Sequence, residues 1–161
     1  MITLKVKLLC PEARLPTRAH PTDAGFDLYA RDYQTLLPGK TEKVPLGVAI
    51  AFPEGYVALL WDRSGIGSSG IHRFAGVIDS DYRGEWQVAL HNARAAEAYD
   101  IRPGDRVVQC VLQKFEPCVF EEVDKLPETM RGEGGFGSTD APNLPHTPRP
   151  QPGHEPEVVE P

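Results

Sequence analysis

Three cysteines, Cys10, Cys110 and Cys118, are too few and too scattered for a disulfide framework or a zinc cluster, and no C-x-x-C pair occurs. They are expected to be ordinary thiols in a reducing compartment. No stretch of 18 apolar residues exists, and Lys5 and Lys7 interrupt the apolar residues of the N-terminus, which argues against a membrane-spanning helix and a secretory signal. A soluble cytoplasmic protein without membrane contact is therefore the expectation. Positive charge is also short: 17 Lys and Arg stand against 23 Asp and Glu, a net charge of −6. That balance disfavours direct binding to nucleic acid, so any anionic ligand must meet local positive charge. Long helices are disfavoured as well, because 15 glycines and 16 prolines in 161 residues exceed the combined background of roughly 12%.

What is present reads as strands. Ile2, Leu4, Val6 and Leu8 alternate with Thr3, Lys5, Lys7 and Leu9, the period of two of a half-buried strand. Apolar runs follow at Val44–Phe52, Tyr56–Trp61, Phe74–Ile78, Trp86–Leu90, Arg106–Phe115 and Val119–Val123. Turn signals separate them: Leu37-Pro38-Gly39, Phe52-Pro53-Glu54-Gly55, Arg83-Gly84 and Arg102-Pro103-Gly104-Asp105. Many short strands at such spacing predict an antiparallel barrel or sandwich. The main competing element is a helix near Ala93–Tyr99, where alanines give high helix propensity over one or two turns. From Ala141 to Pro161 seven prolines and few large apolar residues predict a disordered tail.

Two glycine patterns, Gly65–Gly70 and Gly132–Gly137, match G-x-G-x-x-G. That fingerprint works only between a strand and a helix whose N-terminus receives a pyrophosphate, and the first here leads into a β-like stretch, the second into the proline tail. Five polar segments remain. Asp27 lies in a strand-like run, and Arg63-Ser64-Gly65 offers a charge, a hydroxyl and a close backbone approach to an anion. Val77 to Glu85 joins two apolar strands through a polar, hairpin-like turn containing Asp79-Ser80-Asp81-Tyr82. Gln109 opens a further strand after Gly104-Asp105-Arg106, and Arg131 to Thr139 sets one cation, Phe136 and two hydroxyls among glycines. Taken singly, most of these read as turns or strand residues. Phe136 lacks an evident core to join and suits a segment that closes over a flat ligand.

Together and in this order, the five segments over about residues 2 to 139 resemble the trimeric dUTP pyrophosphatase (dUTPase) family. The resemblance implies an all-β, distorted jelly-roll-like β-barrel over residues 1–130, a flexible C-terminal arm over 131–140 and the tail over 141–161. It implies a homotrimer with shared active sites that hydrolyses dUTP to dUMP and pyrophosphate, limiting uracil incorporation into DNA and supplying dUMP for thymidylate synthesis. Asp79 is then the general base for water attack on the α-phosphorus, Tyr82 packs on the deoxyribose, and Val77 and Ile78 read the uracil edge with Gln87 nearby. Arg63, Ser64 and Gly65 hold phosphates with help from Gln109, and Mg2+, held mainly by the triphosphate, is supported by Asp27 through water. Arg131 contacts the γ-phosphate, Phe136 stacks on uracil, and Ser138 and Thr139 bond terminal phosphate oxygens. Asp62 stands where the family usually has proline, and Trp86 is bulkier than the usual residue. On the same fold the alternative is a deoxycytidine triphosphate deaminase, and in a different class a noncatalytic nucleotide sensor.

Overall fold

The computed structural model describes residues 2–134, so Phe136, Ser138, Thr139 and the proline-rich tail lie outside the described residues. Residues 2–119 form one compact unit, and residues 120–134 belong to a second.

In the first unit the described chain runs β1 (Lys5–Leu8), β2 (Gly25–Tyr29), β3 (Gln34–Leu36), β4 (Thr41–Pro45), β5 (Val48–Ala51), β6 (Tyr56–Trp61), α1 (Ser64–Gly67), β7 (Ile71–Phe74), β8 (Val77–Ile78), β9 (Gln87–Asn92), β10 (Tyr99–Ile101) and β11 (Arg106–Lys114). Every pairing is antiparallel: β1 with β5, β3 with β10, a four-stranded sheet β2-β11-β6-β8 and a three-stranded sheet β4-β9-β7. Strand alternation places Leu28, Leu36, Val44, Ile50, Leu60 and Leu90 in one buried core, which makes the expected all-β jelly-roll-like barrel. Trp86 belongs to this core, only 1% exposed and packed edge-on against Phe52 at 6.2 Å, which accounts for its bulk.

Two expectations change, and the competing helix is absent. Ala93–Tyr99 forms no helix: Tyr99 starts β10, and seven residues are too few to nucleate one against competing bonds. Buried Asn92 sets the loop instead, donating through Nδ2 to the carbonyls of Leu36 (2.9 Å) and Glu97 (2.8 Å), while its Oδ1 accepts from Arg94 N at 3.0 Å. Val119–Val123 is not a strand; a strand needs a partner edge, and no described strand pairs with this run, whose Val119 and Phe120 are each 96% exposed. The segment after Ile78 is not a hairpin either. Strand β8 pairs with β6, whereas β9 pairs with β4 and β7, so residues 79–86 cross between sheets.

In the second unit Arg131 closes a turn on itself, its Nε donating to the Gly134 carbonyl at 2.8 Å while Gly134 N donates to Arg131 O at 3.1 Å.

The cysteines behave as ordinary thiols of differing access. Burial pushes the Cys110 thiol from 9.0 up to about 12, whereas Cys118 is exposed. Because the folded-state value is the higher one, the neutral Cys110 thiol contributes fully below pH 9.0, and that contribution is lost as pH rises towards about 12. In native protein at pH 8 an aromatic disulfide reagent is expected to titrate Cys118 promptly and Cys110 only after unfolding. Equal rates for the two thiols would contradict the packing described.

Candidate active site

The register of the four-stranded sheet brings three separated residues into a row. Gln109 on β11 is the cross-strand partner of Asp27 on β2 and of Trp61 on β6, so their side chains stand on one face of adjacent strands. They line a pocket of about 430 Å³ together with Arg63, Ser64 and Arg106. The Asp27 carboxylate, 14% exposed, accepts from Arg63 Nε at 2.8 Å through one oxygen and from Arg106 Nη1 at 3.3 Å through the other. Two guanidinium groups, Arg63 and Arg106, thus stand against the two carboxylates that line the pocket, Asp23 and Asp27, and supply local positive charge on an otherwise acidic protein. Gln109 Nε2 donates to the carbonyl of Asp62 at 2.8 Å, which fixes its amide.

Arg63 precedes the single turn α1 in extended conformation, and its carbonyl accepts from Ile66 N (3.1 Å) and Gly67 N (2.8 Å). Ser64 and Gly65 are exposed, and a Cβ added at Gly65 would meet nothing within 4 Å. The turn is thus open to solvent on the Cβ side of Gly65.

A second group of expected residues sits on the crossing segment and lines no part of that pocket. Gly76, at φ +114°, admits the chain beside Leu60, where a Cβ would lie 2.9 Å from the Leu60 Cβ; β8 then presents Val77, 69% exposed. Asp79 is exposed and makes no ion pair among the described residues. Its carbonyl accepts from Tyr82 N at 3.2 Å, closing a turn, and Tyr82 OH donates to the Glu85 carbonyl at 3.1 Å. The phenol lies so close over Gly84 that any Cβ there would collide with it. Glu85 anchors the far end: its carboxylate takes Arg31 Nη1 at 2.9 and 3.1 Å and Gly47 N at 2.9 Å. Arg31 also bonds Asp32, which is the main reason its guanidinium is raised above its ordinary value, with Glu85 adding to the effect. Gln87 opens β9 with its side chain exposed.

The structure therefore gathers Asp27, Arg63, Ser64 and Gln109 and keeps Val77, Ile78, Asp79, Tyr82 and Gln87 on a separate surface. Arg131 belongs to the second unit. Sequence reasoning gave no role to Arg106, Trp61 or Arg31; the period of two along β6 and β11 could have placed Trp61 beside Gln109, but only register reveals it.

As for a metal, no cluster of three His, Cys, Asp or Glu side chains suited to a cation occurs among the described residues. Of the two carboxylates that line the pocket, Asp27 has both oxygens engaged by arginines and Asp23 accepts from His20 N at 2.8 Å through Oδ2. This donor set fits Mg2+ carried mainly by phosphate oxygens and water, not a protein cage.

A model of the dUTPase family matches residues 11–140. The deoxyuridine 5'-triphosphate nucleotidohydrolase of Rhodococcus erythropolis is 45% identical over 141 residues, covering 86% of this chain and 86% of that protein. The protein of the same name from Corynebacterium jeikeium is 44% identical over 142 residues, covering 84% and 92%. Among solved structures, a mutant dUTPase of Staphylococcus bacteriophage 80alpha with dUpNHpp superposes with a TM-score of 0.79 at 31% identity, over 84% of this chain and 97% of that one. A mutant dUTPase from phage phi11 of S. aureus, described with a structural Mg(II) ion, gives a TM-score of 0.73 at 29% identity, over 78% and 99%. With the barrel, the ordered polar segments and these similarities in agreement, the chain belongs to the dUTPase family.

Proposed function

We propose that the protein is a dUTP diphosphatase whose active site is assembled from complementary surfaces of different chains in a homotrimer. The observation that carries this reading is the division of the expected residues: an arginine-bearing polar pocket around Asp27, Arg63 and Gln109, and a separate exposed loop bearing Asp79 and Tyr82. Neither surface is a complete site. Cyclic symmetry lets the loop of one copy meet the pocket of the next at every interface of a ring.

The triphosphate lies against Arg63, Ser64 and the backbone at Gly65, where open space remains for it. Gln109, oriented by the Asp62 carbonyl, aids this half of the site. The deoxyuridine lies against the loop, with the Tyr82 ring on the sugar, the backbone at Val77 and Ile78 on the uracil edge and Gln87 at the adjoining strand end. Asp79, without an ion-pair partner among the described residues, takes a proton from water as the water oxygen forms its bond to the α-phosphorus. The bond from that phosphorus to the bridging oxygen breaks, and pyrophosphate leaves with the electron pair. Asp27 would support, through water, an Mg2+ carried by the triphosphate, which would supply charge neutralisation at the phosphate oxygens.

Arg131, Phe136, Ser138 and Thr139 complete the site as an arm, on the γ-phosphate, the uracil ring and the terminal phosphate oxygens respectively. Removing residues 131–161 is expected to lower kcat/KM for dUTP by at least about 10²-fold, since a cation and an aromatic lid are lost together. Removing only 142–161 should leave steady-state rates unchanged; a large loss from the shorter deletion would move the arm's boundary.

The functional assignment is tested by hydrolysis in ¹⁸O-labelled water, with dTTP, dCTP and UTP as parallel substrates. Label in dUMP and no ammonia from dCTP are expected. Label in pyrophosphate would refute attack at the α-phosphorus, ammonia from dCTP would favour the deaminase, and absence of any turnover would favour a nucleotide sensor.

A further inference from the structure

Asp62 lies between Trp61 and Arg63, both of which line the proposed phosphate pocket, and a free carboxylate there would repel the ligand. The structure turns it away. Its Oδ1 accepts from the backbone N of Arg73 at 2.7 Å, and its Oδ2 lies 3.0 Å from His72 Nδ1, so both oxygens are spent on the start of β7. The same residue's carbonyl accepts from Gln109 Nε2 at 2.8 Å. The α1 turn closes against it, since a Cβ at Gly67 would lie 3.4 Å from the Asp62 Cβ.

The strut extends beyond one bond. Arg73, held by Asp62 through its backbone, lays its guanidinium over the Trp61 ring at 4.8 Å and donates through Nη1 to Ala75 O at 2.7 Å. Trp61 is a wall of the pocket, and Ala75 holds a φ of +61°, a conformation that a non-glycine residue keeps only when its surroundings enforce it. One carboxylate thus joins the ends of β6 and β7, and one carbonyl on the same residue joins them to β11.

We infer that Asp62 is a positioning residue for the phosphate half of the site, fixing Arg63, the α1 turn and Gln109 by clamping them to β7. It acts through its neighbours and does not touch substrate. The inference rests on the phosphate reading of the pocket proposed above.

The test compares Asp62→Ala with Asp62→Asn in the full chain. Asn keeps an oxygen that can accept from Arg73 N, and its amide can donate to His72 Nδ1 when that nitrogen is unprotonated. For Asp62→Ala, KM for dUTP and the inhibition constant of pyrophosphate are both expected to rise about tenfold, the equivalent of one lost hydrogen bond to a charged group. Under the same conditions kcat changes less than about twofold and inhibition by deoxyuridine weakens much less than inhibition by pyrophosphate, because Asp62 reaches the nucleoside half only indirectly, through Arg73 and Ala75. Asp62→Asn should restore most of the affinity. If Asp62→Ala does not fold, Asp62→Ser, which cannot reach both β7 partners, is expected to give the same split. Unchanged pyrophosphate inhibition, or equal weakening of deoxyuridine, would overturn the inference. Failure of the wild-type chain to hydrolyse dUTP or bind pyrophosphate would instead overturn the phosphate reading itself.

Discussion

Replacing Asp79 by Asn is expected to lower kcat for dUTP by about 10²- to 10⁴-fold, the usual worth of general-base help, while binding of the nucleotide remains measurable. Asn has the size and shape of Asp, so the turn closed by the Asp79 carbonyl and Tyr82 N survives. What disappears is a carboxylate that is exposed and free of ion pairs among the described residues, hence available to a water proton. Affinity persists because the phosphates are held by the other surface. Single-turnover kinetics with dUTP, beside calorimetry with a non-hydrolysable analogue, separate the two effects. A variant that turns over as fast as the wild type would remove Asp79 from its role.

Arg63→Ala is the second large loss, and it acts in two ways. It deletes a guanidinium that faces the pocket, worth about 1.5 to 3 kcal/mol for one hydrogen bond involving a charged group, or roughly 10- to 100-fold in KM. It also withdraws the closer of the two partners of Asp27, whose carboxylate then faces the phosphates with Arg106 alone, at 3.3 Å, to balance it. The combined loss in kcat/KM is expected to exceed about 10²-fold. Lysine at 63 should recover little, since the contact with Asp27 uses the guanidinium Nε and a point charge lacks the fork. Adding Asp27→Asn to Arg63→Ala should recover part of the affinity for pyrophosphate by removing the exposed negative charge. No recovery in the double variant would show that Asp27 does not oppose the phosphates once Arg63 is gone.

Much of the barrel was legible in the sequence because strand alternation and turn chemistry are local. The runs at Tyr56–Trp61 and Arg106–Phe115 correspond to β6 and β11, and the glycine of Arg102-Pro103-Gly104-Asp105 takes φ +85° as a turn requires. Which strands pair is not local, and that is where reading from the sequence fell short. Val77–Ile78 and Gln87–Asn92 look like the arms of a hairpin, yet each found its hydrogen bonds in a different sheet. Val119–Val123 has the pattern of a strand but no described partner. The same limit applies to the site. Asp27, Arg63 and Gln109 were visible through their motifs, whereas Arg106 and Trp61 entered through cross-strand register alone. Asp62 looked like an extra negative charge beside a phosphate site, and only its contacts with His72 and Arg73 turn it into a clamp.

Subunit mixing tests the central claim, that loop and pocket serve one site from different chains, most directly. Asp79→Asn and Arg63→Ala chains, each nearly inactive alone, are unfolded together in equal amounts, refolded and assayed with dUTP. Sites shared between chains predict that random assortment restores about a quarter of them, because Asp79 and Arg63 then come intact from different copies. Activity in the mixture no higher than the mean of the two variants alone would contradict the account, since it would mean that each chain carries Asp79 and Arg63 in its own site.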